Sequence, residues 1–90
     1  MLHIVSRLHR LETLSRYVSA KDSLLLVEEA VYAANPKHHK HTLLPSIEIK
    51  ALEPDLTARG LESVCASHIE AVDFAGFVDL TAEHGKSITW

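Results

Sequence analysis

A single cysteine, Cys65, among 90 residues excludes an internal disulfide, which fits a reducing compartment. The three glycines, Gly60, Gly76 and Gly85, stand far apart, so no Gly-rich loop is available to cradle a phosphate. No serine lies in a G-x-S-x-G elbow either, which removes that route to hydrolysis. The longest purely aliphatic run is Leu24 to Val27, far below the ~20 residues a membrane-spanning helix needs. The opening MLHIVSRLHR places charge and histidine where a signal peptide requires its apolar stretch. A cytoplasmic chain with no membrane partner is the expectation. Nor is there a stripe of basic residues: 9 Lys and Arg stand against 12 Asp and Glu, for a formal charge of −3. Such a chain lacks the electrostatic footprint that holds phosphates, so direct nucleic-acid binding is not expected.

What is present is a globular composition, 47% hydrophobic and 23% charged, which reads as one domain over residues 1–90. A chain this short buries only roughly 60–65% of the surface it exposes when unfolded, so association with another subunit would add needed stability. Seven histidines would carry the net charge through zero in mild acid.

Hydropathy patterning alternates short strands with short helices. Met1 to Val5 is an apolar run of strand type, and the following RLHRLETLSRYVS spaces Leu8, Leu11, Leu14 and Val18 as a helix does. Leu24 to Val27 predicts a central strand covered on both faces. EEAVYAAN predicts a short helix with two acids at its start and a stop at Asn35-Pro36. SIEIKAL alternates Ile47, Ile49 and Ala51 against Glu48 and Lys50, a strand with one face wet or against a partner. Pro54 to Leu61 predicts a compact helix with Asp55 opposite Arg59 and closure at Gly60. HIEAVD predicts another strand, AGFVDLTAEH a helix closed by Gly85, and SITW a last short strand. The sum is an α/β fold: a small, mostly parallel sheet of about five strands flanked by short helices.

Four groups of residues bear on chemistry. Cys65, with His68 three positions on, is the one candidate nucleophile, and the alternative is a small enzyme or carrier working through it. An attacking thiol must be a thiolate stabilised by a cation or a helix N-terminus, and Val64 and Ala66 instead flank it with apolar bulk, so a structural role is expected. In KHHKH, the imidazoles of His38, His39 and His41 lie beside Lys37 and Lys40, which repel a metal ion, and the segment reads as a solvated loop. Glu28 and Glu29 fall at the carboxyl end of the central strand, where open α/β sheets place ligands, yet they also suit a helix start. No catalytic, cofactor or metal site is assigned. Among the aromatics, Trp90 has little chain left to cover it and is the leading subunit-interface candidate, with Phe74 and Phe77.

The start MLHIV, the strand SLLLVEEAV, the segment IKALEPDLTARGL and the end VDFAGFVDLTAEHGKSITW resemble the TusB/DsrH family of sulfur-relay subunits, within the DsrE-like superfamily. The matching motif residues are Asp55, Leu56, Arg59 and Gly60; the KHHKH loop has no counterpart. The resemblance implies a DsrE/DsrH-like fold and a non-catalytic subunit, with no cofactor, assembled with TusC-like and TusD-like sisters. It implies that persulfide sulfur moves through that complex toward 2-thiolation of the tRNA wobble uridine, or through a DsrEFH-type complex in sulfur oxidation. The carrier cysteine would lie on the TusD-like sister, and the isolated chain is expected to form a homodimer.

Overall fold

In the computed structural model, which describes residues 1–90, the ordered elements are β1 (Leu2–Val5), α1 (Leu11–Leu14), β2 (Ser23–Leu26), β3 (Glu48–Leu52), α2 (Glu53–Ala58), β4 (Glu70–Val72), α3 (Phe74–His84) and β5 (Ser87–Thr89). Single 3-10 stretches cover Leu8–Arg10, Glu28–Ala34, His39–Leu43 and Glu62–Val64. The five strands form one sheet in the order β4-β3-β2-β1-β5, and all four pairings are parallel. β2 is the middle strand and is buried along its whole length.

The order explains how the helices divide. From β1 to β4 the chain steps one way along the sheet, and from β4 to β5 it returns across it. Right-handed crossovers place connections on one face when stepping one way and on the other when stepping back. Accordingly, α1, the 28–34 stretch and α2 share a cluster of 15 buried residues with Val5, Leu24, Leu26, Ile49 and Ala51 of the sheet. Leu80 of α3 packs alone against Leu2 and Leu25 on the opposite side, with Ile4, Val27, Val72 and Phe77 partly buried around them.

Helical elements are shorter and tighter than the leucine and alanine spacing predicts. RLHRLETLSRYVS yields one 3-10 turn and a four-residue α1, and EEAVYAAN is a seven-residue 3-10 helix. The N-terminal pattern has no capping side chain at either boundary, so packing of Leu11 and Leu14 carries it rather than intrinsic helix strength. α3 is the one long helix. Asp73 caps it, its Oδ1 accepting from the Gly76 N–H at 2.8 Å, and Gly85 at φ 71° ends it.

No helix is long and apolar enough to cross a membrane.

Candidate functional site

At the carboxyl edge of the sheet, the chain leaves β2 through Glu28, a non-glycine residue at φ 50°. An L side chain there costs about 1–2 kcal/mol, so the surroundings must hold it. Asp55 does this: its Oδ2 accepts from the Glu28 N–H at 2.6 Å. The predicted Asp55–Arg59 pairing is present but loose, at 4.0 Å. Arg59 also lies over the Tyr32 ring, 5.9 Å from its centre. The acids Glu28 and Glu29 do not form a pair for acid-base work. Glu29 reaches the other way, its Oε1 accepting from the Leu8 N–H at 3.0 Å.

The rest of the DLTARGL segment is accounted for by one helix end. Gly60 at φ 67° donates its N–H to the Thr57 carbonyl at 3.1 Å, and the Leu61 N–H donates to the Leu56 carbonyl at 2.9 Å. These two bonds make a Schellman closure, and its usual hydrophobic contact is supplied by Leu56 and Leu61 in the core cluster. Nothing lies within 4 Å of where a Gly60 Cβ would stand. Glycine is required there by the backbone angle and not by space.

β3 and β4 are neighbours whose following helices leave toward opposite faces, the topology at which α/β sheets open a crevice. The one cavity of the molecule lies beside them, about 310 Å³, lined by Glu53, Leu56, Glu62, Cys65, Ile69 and Ala71 among others. Cys65 is half-buried in its wall. Burial pushes the thiol above its ordinary pKa, and Sγ–H donates to the Ile69 carbonyl at 3.5 Å. That burial favours the neutral thiol over the thiolate. The expected apolar cover is only half there, since Ala66 is buried but Val64 is exposed. His68 is turned away from the thiol and meets His41 edge-on, ring centres 5.8 Å apart.

The KHHKH segment is not the loose loop the sequence suggests. Residues His39–Leu43 form a 3-10 helix, and His38 Nδ1 caps it by accepting from the Lys40 N–H at 3.1 Å. His41 Nδ1 is committed to the Ala33 carbonyl at 2.7 Å. No three ligand side chains anywhere converge as a metal site would require.

Trp90 is partly covered by neighbouring elements of its own chain. Its backbone N–H donates to the Ile4 carbonyl at 2.8 Å, extending β5 along β1. The indole packs on the larger cluster and stacks near His3 and Tyr17. Its Nε1–H donates to His3 Nδ1 at 3.1 Å. An indole nitrogen can only donate, so His3 carries its proton on Nε2 and donates to Asp22 at 2.8 Å. Hydrogen bonds from the Ser19 backbone N–H and from His3, joined by the terminal amine, hold the Asp22 carboxyl far below the usual carboxylate range. Nothing in the spacing of His3, Asp22 and Trp90 announces that they meet.

Phe77 is partly buried on the smaller cluster, whereas Phe74 is 62% exposed and Val78 64%. Both exposed residues belong to α3.

Comparison with known proteins agrees with this architecture. A family model described as DsrH like protein matches residues 5–87. The chain is 36% identical over 82 residues to Protein TusB of Pectobacterium parmentieri, covering 89% of this chain and 86% of that one. It is 36% identical over 95 residues to Protein TusB of Escherichia coli O81 (strain ED1a), covering 100% of both. Among solved structures, the ychN protein from E. coli superposes with a TM-score of 0.72 over 99% of this chain and 97% of its own. At 16% identity that likeness concerns the fold.

Proposed function

The chain belongs to the TusB/DsrH family of sulfur-relay proteins, and from that premise we propose that it is the non-catalytic subunit of a cytoplasmic TusBCD-like complex. Its sisters are TusC-like and TusD-like chains, and the complex relays persulfide sulfur toward 2-thiolation of the tRNA wobble uridine. The observation that carries the non-catalytic part is the state of the one cysteine. A sulfur carrier attacks as a thiolate, and Cys65 is a half-buried thiol raised in pKa, donating to a carbonyl in a wall that also holds Glu53 and Glu62. The transferable sulfur therefore resides on another chain, and this one supplies surface and support.

The motif residues fit a supporting role. Asp55 and Gly60 shape the backbone at the carboxyl edge, Leu56 is core, and Arg59 is laid on Tyr32. None of the four is a free nucleophile or a convergent acid-base pair.

The test is reconstitution with the two sister chains and a persulfide donor. A folded Cys65→Ser protein is expected to co-purify with them and to transfer sulfur at the rate of the unaltered complex, within about twofold. Loss of transfer by that folded complex overturns the non-catalytic reading. Failure of the unaltered chain to associate with such sisters overturns the assembly itself.

A further inference from the structure

Between Glu29 and Glu48 the chain has no carboxylate, and within that stretch stand Lys37, His38, His39, Lys40 and His41. Folding adds to this group. His68 comes to His41 with ring centres 5.8 Å apart, and Arg59 is joined through Tyr32, whose ring stacks with that of His38 at 6.1 Å. His38 in turn stacks with His39 at 4.5 Å. Of these residues only Arg59 faces an acid, Asp55 at 4.0 Å, and that acid is already held by the Glu28 N–H. Neither lysine and none of the four imidazoles takes part in a salt bridge.

Like charges so placed repel, and a loose loop would let them separate. Instead the segment is fastened. Asn35 Oδ1 accepts from the Lys37 N–H at 3.0 Å, His38 caps the turn, His41 holds the Ala33 carbonyl, and Thr42 Oγ1 donates to the His39 carbonyl at 3.2 Å. An ordered cationic surface without internal counter-ions is preorganised for an external anion, which then binds with little ordering cost.

We propose that Lys37, His38, His39, Lys40 and His68 form a docking surface for a carboxylate-rich segment of a partner protein. Carboxylates suit it better than nucleic acid because the ring faces are consumed internally. Tyr32 lies between Arg59 and His38, and His38 between Tyr32 and His39, so few planes remain on which bases could stack. Ring edges and ammonium groups remain, and their N–H groups donate charge-assisted hydrogen bonds to carboxylate oxygens.

Docking does not call for protonation of His38. His38 is held below its ordinary pKa by burial first and then by the charges of His39 and Lys40. Tyr32 is the group that faces it from the neighbouring 3-10 stretch, with Arg59 beyond. The His38 Nδ1 is already spent accepting the Lys40 N–H, so the neutral ring offers its Nε2–H edge to an arriving carboxylate without giving up the cap. The surface goes beyond the sulfur-relay reading and does not depend on it.

The experiment uses the full chain and a fluorescent 12-residue Glu-rich peptide, with polarisation read at pH 7.5 in low salt, beside a 12-nucleotide single-stranded RNA. Expected are binding of the peptide and a loss of about tenfold in the Lys37→Ser/Lys40→Ser protein, a change on the scale of a few ion pairs. A Lys21→Ser/Lys86→Ser protein, equal in charge removed, should bind as the unaltered chain does. The proposal is overturned by tighter binding of the RNA, by equal loss in both lysine pairs, or by no binding of the peptide.

Discussion

The two faces of the sheet are built from the same strands yet are held in different ways. On the broad face, 15 buried residues from strands and four connecting segments form one apolar cluster. On the narrow face, three do so, and α3 is the only helix there. The narrow face also carries polar ties. Ser23 Oγ donates to Glu48 Oε1 at 2.7 Å and meets His84 Nε2 at 2.9 Å. Lys50 Nζ pairs with Glu70 at 2.6 Å, and its pKa is raised first by that hydrogen bond and then by Glu48, Glu70 and Glu83. The broad face is therefore a core in the usual sense, and the narrow face is a helix tied to a sheet. Apolar burial resists unfolding cooperatively, whereas exposed ion pairs contribute about 1 kcal/mol or less each. The narrow face leaves Phe74 and Val78 of its one helix exposed.

Truncating one leucine on each side separates the two most directly. Leu24→Ala on the broad face is expected to cost about 3–5 kcal/mol, a large part of the stability of a domain this size. Leu80→Ala on the narrow face should cost about 2–3 kcal/mol and release α3 locally. Denaturant titration gives the first pair of numbers. Hydrogen exchange then tells local from global opening: loss of protection confined to 74–84 in Leu80→Ala supports the distinction, and uniform loss in both proteins abolishes it.

A smaller effect sharpens the broad face at its amino edge, where Asp22 joins His3, Ser19 and the terminal amine. Its folded-state pKa lies below the unfolded value, near 3.9. The stabilisation is thus present above about pH 4 and is lost as the pH falls through the folded value. Asp22→Asn should lower stability at pH 7 by about 1–3 kcal/mol, as for a partly buried carboxylate losing charged hydrogen bonds. The variant should also show a flatter acid limb between pH 5 and pH 2. Urea midpoints across that range check it, and an unchanged acid limb would remove Asp22 from the account.

The smallest effect on the chain alone belongs to the exposed residues of α3. Replacing Phe74 and Val78 together by Ser should change stability by less than about 0.5 kcal/mol, as at other solvent-facing positions. Association with the sister chains should weaken measurably in co-purification or sedimentation. Full retention of assembly would move the contact off α3.

Much of the fold is legible along the chain. The buried run Leu24 to Leu26 marks the middle strand because only a strand covered twice has no polar face. The alternation in SIEIKAL gives the strand with one polar face, although that face meets α3 and its polar ties as well as solvent. Gly60 and Gly85 mark helix ends, and both adopt the left-handed angle. The lengths of the first two helices are not legible: leucine and alanine spacing reports which side is buried and says little about whether four or thirteen residues complete the turn. The site is less legible still. Cys65 beside His68 looks like a pair in sequence, but the turn after residue 64 sends the thiol to Ile69 and the imidazole to His41.

By itself, the sequence determined the class of this protein. Period-two and helical patterns, two helix-closing glycines and the family motif are local or near-local signals, each fixed by backbone geometry within a few residues. The tertiary structure alone decided which distant groups meet. Asp55 braces the left-handed Glu28 across 27 residues, and Trp90 reaches His3 across 87. His68 joins the histidines of another element. Such contacts depend on strand order and on which face each crossover takes, and a linear pattern carries the side of each element without carrying its neighbour.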